Sequence, residues 1–149
     1  MLNSKAKGAN GEREILAILQ QDVDFVCKEL NMGVIPQMHR NLEQTRESGC
    51  DCAFLDFAIE VKRVEQLNIK KAWKQAVASA LPLEAIPVLL WRKNYAAWEV
   101  RARLPILIKN TAVIYDVDLD LPSFRDYFRR HLRIKIPDIQ SKYTGDKFW

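Results

Sequence analysis

Two charged side chains interrupt an apolar run in the sequence FAIEVKR, which spans residues 57–63. Side chains alternate between the two faces of a strand, so Glu60 and Lys62 share one face at a separation of ~7 Å. From that rigid platform, a carboxylate and an ammonium group can address the same atom. Charges on a strand more commonly form a solvated salt bridge, but the apolar neighbours Phe57 and Ile59 argue against a solvated face.

A second carboxylate, Asp51, lies nine residues before Glu60. If Asp51 opens an adjacent antiparallel strand, its carboxylate converges with that of Glu60, and two such groups repel unless a cation joins them. Mg²⁺ is the expected cation, and Mn²⁺ is expected to substitute for it. The metal would lower the pKa of a bound water, while Lys62 orients this water or stabilises charge on a phosphate oxygen. This set therefore predicts metal-assisted hydrolysis at a phosphate.

A third carboxylate, Glu12, belongs to a helix that we expect over residues 12–21. Helical spacing places Glu12 in the middle of the apolar stripe, so its side chain points towards the interior. The helix dipole alone would also explain an acid at this position. Because Glu12 lies on the apolar stripe, we favour a role in the carboxylate cluster. Gln75 lies at the edge of the buried stripe of a second helix, expected over residues 68–81. The stripe of the first helix consists of Ile15, Leu16, Leu19 and Val23.

The rest of the chain predicts alternating strands and helices around these residues. A flexible basic lead-in precedes the first helix, and a polar loop precedes Asp51. The expected elements are a lead-in over 4–11, strands over 33–39, 50–54 and 57–63, a loop over 40–49, a hairpin over 87–100 turning at Asn94, strand-like runs over 105–109 and 111–117, and a helix over 123–133 with Ser123 as N-cap. This order predicts an α/β fold with a mixed central β-sheet flanked by helices.

The composition is that of an ordinary globular protein, with 149 residues, 48% hydrophobic and 28% charged. We expect one domain over residues 1–149. No apolar run approaches the ~18 residues that span a bilayer, and the N-terminus lacks a secretory pattern. We therefore expect no membrane partner. We expect a cytoplasmic location, in a bacterium, an archaeon or a virus-infected host. The net charge of +4 and the basic residues between positions 62 and 109 permit a polyanionic partner. The cysteines suit a reducing compartment and are expected to be packed: Cys27, Cys50 and Cys52.

Asp51, the run Glu60-Val61-Lys62, Glu12 upstream and Gln75 downstream together resemble the PD-(D/E)xK nuclease superfamily. Cys50 stands where the superfamily's name has proline, a position that often lacks it. Within the superfamily, the chain is most similar to archaeal-type Holliday junction resolvases, including virus-encoded relatives. This resemblance covers about residues 5–100 and is carried, besides Gln75, by the stretches KGANGEREI, RESGCD, FAIEVKR and VLLWRKNYAAWEV.

The resemblance implies a restriction-endonuclease-like nuclease core over about residues 5–104, with residues 105–149 as a C-terminal extension packed on the core or on a dimer. It implies a homodimer that resolves branched DNA, the four-way junction of recombination and repair, with Mg²⁺ as cofactor.

The roles that the resemblance assigns fall on named residues. Asp51 and Glu60 would bind the metal, Lys62 would assist hydrolysis, Glu12 would complete the site and Gln75 would support it. The implied metal ligands are Asp51, Glu60, Glu12 and the backbone carbonyl of Val61. The candidate DNA contacts are Lys5, Lys7, Arg13, Arg40, Arg46, Ser48, Arg63, Lys70 and Lys74.

Two alternatives stay open at this point. The chain is either another nuclease of the same superfamily, which cuts flaps, forks or specific duplex sites, or a DNA-binding module that kept the fold and lost the chemistry. The exposed lysines of the second helix are also compatible with an ordinary solvated face.

Overall fold

The computed structural model describes residues 3–42 and 49–142. Within these ranges the chain forms three α-helices, five strands and a short 3-10 helix at Leu81–Leu83. The helices and strands are α1 (Ser4–Glu29), β1 (Cys52–Phe54), β2 (Phe57–Arg63), α2 (Ile69–Ala80), β3 (Ile86–Arg92), β4 (Glu99–Ile108), β5 (Thr111–Asp120) and α3 (Leu121–Lys142). Among the described residues, no helix combines the length and apolar character that crossing a membrane requires.

The five strands form one mixed sheet in the order β1-β2-β3-β4-β5. The β2–β3 pair is parallel, because α2 lies between these strands in the chain, and the other three pairs are antiparallel. Helices α1 and α3 cover one face and α2 covers the other. The predicted α/β class with a mixed sheet flanked by helices is therefore confirmed.

The alternation along β2 separates two hydrophobic clusters. Phe57 and Ile59 point into the larger cluster, where α1 and α3 pack on the sheet. The opposite face of the sheet carries Leu89 and Trp91 of β3, against which α2 places Trp73. Because Glu60 pairs in register with Leu89, the Glu60 side chain lies on the α2 face.

The predicted start of α1 is wrong. Residues 4–11, expected as a flexible lead-in, are the first turns of the helix, which begins at Ser4 and continues to Glu29. The side chain of Asn3 caps it by accepting a hydrogen bond from the Ala6 N–H at 2.8 Å. This cap and the packing of the following turns outweigh the low helix propensity of the two glycines in the segment.

The strand predicted over residues 33–39 is also wrong, since this segment is irregular. Its backbone groups find a side-chain partner in place of a neighbouring strand: the Gln20 amide donates to the Pro36 carbonyl at 2.9 Å and accepts from the Met38 N–H at 2.7 Å. Periodicity alone does not reveal that a helix side chain satisfies this backbone. The strand expected over 50–54 is shorter at its start, so Asp51 directly precedes β1.

The last third of the described chain is longer in each element than predicted. The run 105–109 continues β4 through Ile108 and is no separate strand. Helix α3 begins at Leu121, and its first turn is capped by Asp120, whose carboxylate accepts from the Ser123 N–H at 2.7 Å, in place of the expected Ser123 cap. It runs past residue 133 to Lys142 through Pro137, and its fully buried stripe is Phe124, Phe128, Leu132 and Ile136.

Candidate active site

The candidate site lies at an open edge of β2. β1 pairs with β2 through Cys52↔Ile59 and the residues that follow Cys52, so no strand of the described residues pairs with the C-terminal half of β2 on that side. Asp51 lies just before β1, and its carboxylate accepts a hydrogen bond from the Val61 N–H at 2.7 Å. Because the N–H and C=O of one strand residue point to the same edge, the Val61 carbonyl faces Asp51 as well.

Glu60 and Lys62 lie side by side on β2, as their spacing predicted, with the Lys62 Nζ 3.1 Å from the Glu60 Oε1. Asp51 and Glu60 are only 5% and 4% exposed. Burial raises the pKa of the Glu60 carboxyl to about 7, and the nearby Asp51 carboxylate adds to this effect, whereas Lys62 opposes it. Two carboxylates are therefore gathered at low dielectric with one ammonium group beside them.

Glu12 reaches the same place from α1. Its Oε2 accepts a hydrogen bond from the Arg40 Nε at 2.7 Å. The helix can approach β2 because residue 11 is glycine: a Cβ added at Gly11 would lie 3.0 Å from the Arg63 Cβ. Helix and strand are thus close enough for Glu12 to raise the pKa of Glu60 slightly by charge repulsion.

One cavity of about 340 Å³ collects these side chains. The structure brings together in its wall all five residues expected to be catalytic, although Gln75 is otherwise exposed on α2. The cavity is lined by Gly8, Glu12, Gly49, Asp51, Glu60, Val61, Lys62, Arg63, Val64 and Gln75.

Three residues of this wall were not singled out from the sequence. Gly8 lies one helical turn before Glu12, and the i, i+4 spacing that places both on one helix face was available as a signal. Gly49 precedes Asp51 by two residues in the stretch SGCD, and Val64 follows β2 directly. Neither of these last two positions carries a chemical signal of its own.

The structure places the predicted DNA-contacting residues unequally. Arg63 lines the cavity, and Arg40 touches Glu12 beside it. Lys7 is bound to Glu65 at 2.9 Å, on the side of α1 that meets the β3–β4 connection. Of the others, Lys5, Arg13, Lys70 and Lys74 are exposed, and Arg46 and Ser48 lie outside the described residues.

Two of the carboxylates are each paired with a basic side chain. Within residues 3–42 and 49–142, no three or more histidine, cysteine, aspartate or glutamate side chains are grouped so that they could hold a metal ion. Glu12 is turned to Arg40 and Glu60 to Lys62. Asp51, Glu60 and Val61 nevertheless line the same cavity, and the Val61 N–H is hydrogen-bonded to the Asp51 carboxylate.

Comparison with known proteins gives similarity to solved structures alone. No protein-family model matches the sequence, and no curated protein matches it. Among solved structures, the chain is similar to Hjc, a Holliday junction resolvase from the archaeal hyperthermophile Archaeoglobus fulgidus, with 16% sequence identity and a TM-score of 0.48. The match covers 80% of this chain and 96% of that one.

Proposed function

We propose that this protein is a divalent-metal-dependent endonuclease that hydrolyses DNA phosphodiester bonds and acts on four-way junctions as a homodimer. The observation that carries the nuclease proposal is the meeting of two almost fully buried carboxylates, Asp51 and Glu60, with the Lys62 ammonium group in one cavity. The junction substrate and the homodimer follow from the resemblance of the sequence motifs to archaeal-type resolvases.

The donor atoms of the cavity fit Mg²⁺ or Mn²⁺. Asp51 and Glu60 offer carboxylate oxygens and Val61 offers a carbonyl oxygen, the hard ligands that these ions prefer. Burial and the neighbouring carboxylate disfavour the charged form of Glu60, which is the electrostatic condition that a bound cation relieves. When bound there, the ion would supply a water of lowered pKa and polarise a phosphate oxygen.

The chain's own residues supply positioning and charge. Lys62 stands beside the carboxylates, where its ammonium group donates a hydrogen bond to a water or a phosphate oxygen and stabilises negative charge that develops there. Arg63 in the cavity wall and Arg40 beside Glu12 attract the phosphate backbone. Glu12 holds Arg40 at the cavity, and the exposed Gln75 amide presents a further donor at the wall.

The test is a cleavage assay with Mg²⁺ on an immobile four-way junction, beside a linear duplex and a flap of matching sequence. We expect paired, symmetric nicks in the junction alone. Asp51→Asn and Glu60→Gln should each reduce cutting by at least about 1,000-fold while junction binding persists, because the folded surface that binds phosphates is unchanged. Asp126→Asn is the matched control, since this exposed acid pairs with Arg130 outside the cavity, and it should cut normally.

Three other outcomes would change the proposal. Normal cutting by Asp51→Asn would contradict the assignment of the site. Cutting of the flap or the duplex would keep the nuclease and discard the junction resolvase. Tight junction binding without cutting in Mg²⁺ or Mn²⁺ would favour the DNA-binding module. In that case, titration of Mn²⁺ should give the same heat for the wild type and for Asp51→Asn, because no metal binds at Asp51.

A further inference from the structure

The end of the β4–β5 hairpin exposes apolar side chains that the helices do not cover. Up to Leu104, alternate residues of β4 are buried in the main core, but beyond this point the strands extend past the helices. Five large side chains of this end are between 39% and 74% exposed: Ile106, Leu107, Ile108, Ile114 and Tyr115. Together they expose on the order of 500 Å² of apolar surface, divided between the two faces of the hairpin.

Both faces of the hairpin end are apolar. The pairs Ile106↔Val113 and Leu104↔Tyr115 lie on the face that α1 and α3 cover further along the sheet. The pairs Leu107↔Ala112 and Pro105↔Ile114 lie on the opposite face. A sheet that packs face to face on a partner buries side chains of one face only. When two strands pair edge to edge, side chains on both faces of one strand contact those of the neighbouring strand.

The charges around the hairpin end do not oppose the approach of a second copy. From Pro105 to Tyr115 the only charged residue is Lys109. Next to this stretch, Arg101 and Arg103 each donate two hydrogen bonds to an aspartate of β5, so the adjacent charges are neutralised within the hairpin. An apolar centre with a neutralised polar rim is the usual anatomy of a protein interface.

Strand β5 is the last strand of the sheet that the described residues form, so its outer edge presents backbone N–H and C=O groups to a further strand. The first half of β5, Thr111–Tyr115, is uncharged, and the second half carries Asp116, Asp118 and Asp120. Antiparallel pairing of two copies about Val113 joins the uncharged halves. A register shifted towards the acidic half would place Asp118 opposite Asp118 of the other copy, which is unfavourable.

We propose that β5 of one copy pairs antiparallel with β5 of a second copy through Thr111–Tyr115, about a two-fold axis at Val113. This joins two five-stranded sheets at the hairpin ends and gives the homodimer of the proposed function its contact surface. Ile114 and Tyr115 of the patch lie on the pairing strand itself, so the contact adds apolar side chains to the backbone hydrogen bonds.

Sedimentation equilibrium of the full chain over a wide concentration range tests the surface without any need for DNA cutting. The wild type should be a dimer, and Ile114→Asp should weaken dimerisation by about 100-fold or more, because a two-fold contact buries the new charge twice. Ile134→Asp is the matched control: it makes the same change at a residue 74% exposed on α3, and should leave the dimer intact. A monomeric wild type, or a dimer that Ile114→Asp does not weaken, would overturn the proposal.

Cysteine cross-linking tests the register. Two Val113 residues on the axis lie at the ~4.5–5.5 Å Cα separation of directly paired residues, within the range of a disulfide. Val113→Cys should therefore cross-link two copies under mild oxidation. Val117→Cys, on the same face of the same strand and similarly half-buried, should not, because the two copies of residue 117 would lie ~27 Å apart. The native cysteines are all buried and do not compete.

The opposite cross-linking pattern, at residue 117 and not at residue 113, would contradict the register. The cleavage assay separates this inference from the proposed function: a monomer that still cuts DNA would overturn the dimer surface alone, whereas a dimer of this register that never cuts would contradict the nuclease and keep the surface.

Discussion

Burial and the nearby Asp51 carboxylate raise the pKa of the Glu60 carboxyl to about 7, from an ordinary value of 4.5. Lys62, at 3.1 Å, lowers it again but does not cancel the cost of burial. In the metal-free protein, ionised Glu60 is therefore a source of instability at neutral pH. A site that tolerates this cost is suited to a cation, which turns the repulsion between the two carboxylates into attraction.

The raised pKa gives a prediction for unfolding. Below about pH 4.5, Glu60 is protonated in both the folded and the unfolded state. Between pH 4.5 and 7 it ionises in the unfolded chain alone, so the free energy of unfolding falls as the pH rises. Above pH 7 this loss levels off. Glu60→Gln cannot ionise and should escape this loss. In chelator, urea unfolding should show the variant gaining stability relative to wild type as the pH rises from 4.5 to 8, by up to about 3 kcal/mol.

Glu29→Gln provides the control for this series. It is the same chemical change at an exposed residue, where a hydrogen bond from Arg133 lowers the pKa of the carboxyl. The Glu29 variant should show no gain as the pH rises. A pH-independent difference between Glu60→Gln and wild type would contradict the raised pKa.

At the scale of elements, the site depends on how closely α1 approaches β2. Glu12 belongs to α1, on the far side of the sheet from α2, and it reaches the cavity only because the helix passes over Arg63 at Gly11. The contact joins the Gly11 backbone and the Arg63 Cβ, which cannot move apart unless the helix or the strand shifts. Trp98 and Arg92 of the β3–β4 hairpin also hold α1 here, through hydrogen bonds to Glu14 at 3.1 and 3.0 Å.

Gly11→Ala should therefore destabilise the protein, in contrast to the same change one turn earlier. The added methyl group would meet the Arg63 Cβ at 3.0 Å and the Trp98 ring at 3.5 Å, and we expect a loss of about 1–3 kcal/mol together with slower DNA cutting. Gly8→Ala meets nothing within 4 Å and should gain about 0.5–1 kcal/mol from helix propensity. Thermal unfolding of both variants measures the difference. Equal effects would show that α1 does not press on β2 at Gly11.

At the scale of the molecule, the last third of the described chain belongs to the main core. The α3 residues Phe124 and Phe128 pack their rings on Phe57 of β2, the strand that carries the candidate site. On the other side of α3, Arg125 and Arg129 bind the carboxylate of Asp22, which is fully buried on α1. The helix therefore supports α1 and β2, which deliver Glu12 and Glu60 to the cavity.

Two isoleucines near the end of α3 test how far this core extends. Ile136 is fully buried, although it lies beyond the helix end that the sequence predicted, and Ile134 is 74% exposed. Ile136→Ala should lower the free energy of unfolding by about 2–5 kcal/mol. Ile134→Ala should change it by less than about 0.5 kcal/mol. Denaturant unfolding of the two variants provides the comparison, and equal losses would contradict the packing of α3 beyond residue 133.

The sequence by itself determined the α/β class, the two faces of β2 and three of the side chains that share the cavity, Glu12, Glu60 and Lys62. These depend on local rules: alternation along a strand fixed Glu60 and Lys62 on one face, and helical spacing directed Glu12 inward. The boundaries of α2 and the turn between β3 and β4 were predictable for the same reason. Arg46 and Ser48, predicted to contact DNA, lie in residues 43–48, outside the described part of the chain.

Only the tertiary structure decided the rest, because each remaining feature depends on residues far apart in the chain. Gln20 replaces a neighbouring strand for residues 36–38, and Asp51 fills the edge that β1 leaves open on β2. Glu12 is paired with Arg40 across 28 positions, and burial sets the pKa of Glu60. The sequence pattern specifies which face a side chain takes, whereas its partners and its exclusion from water depend on how the elements pack.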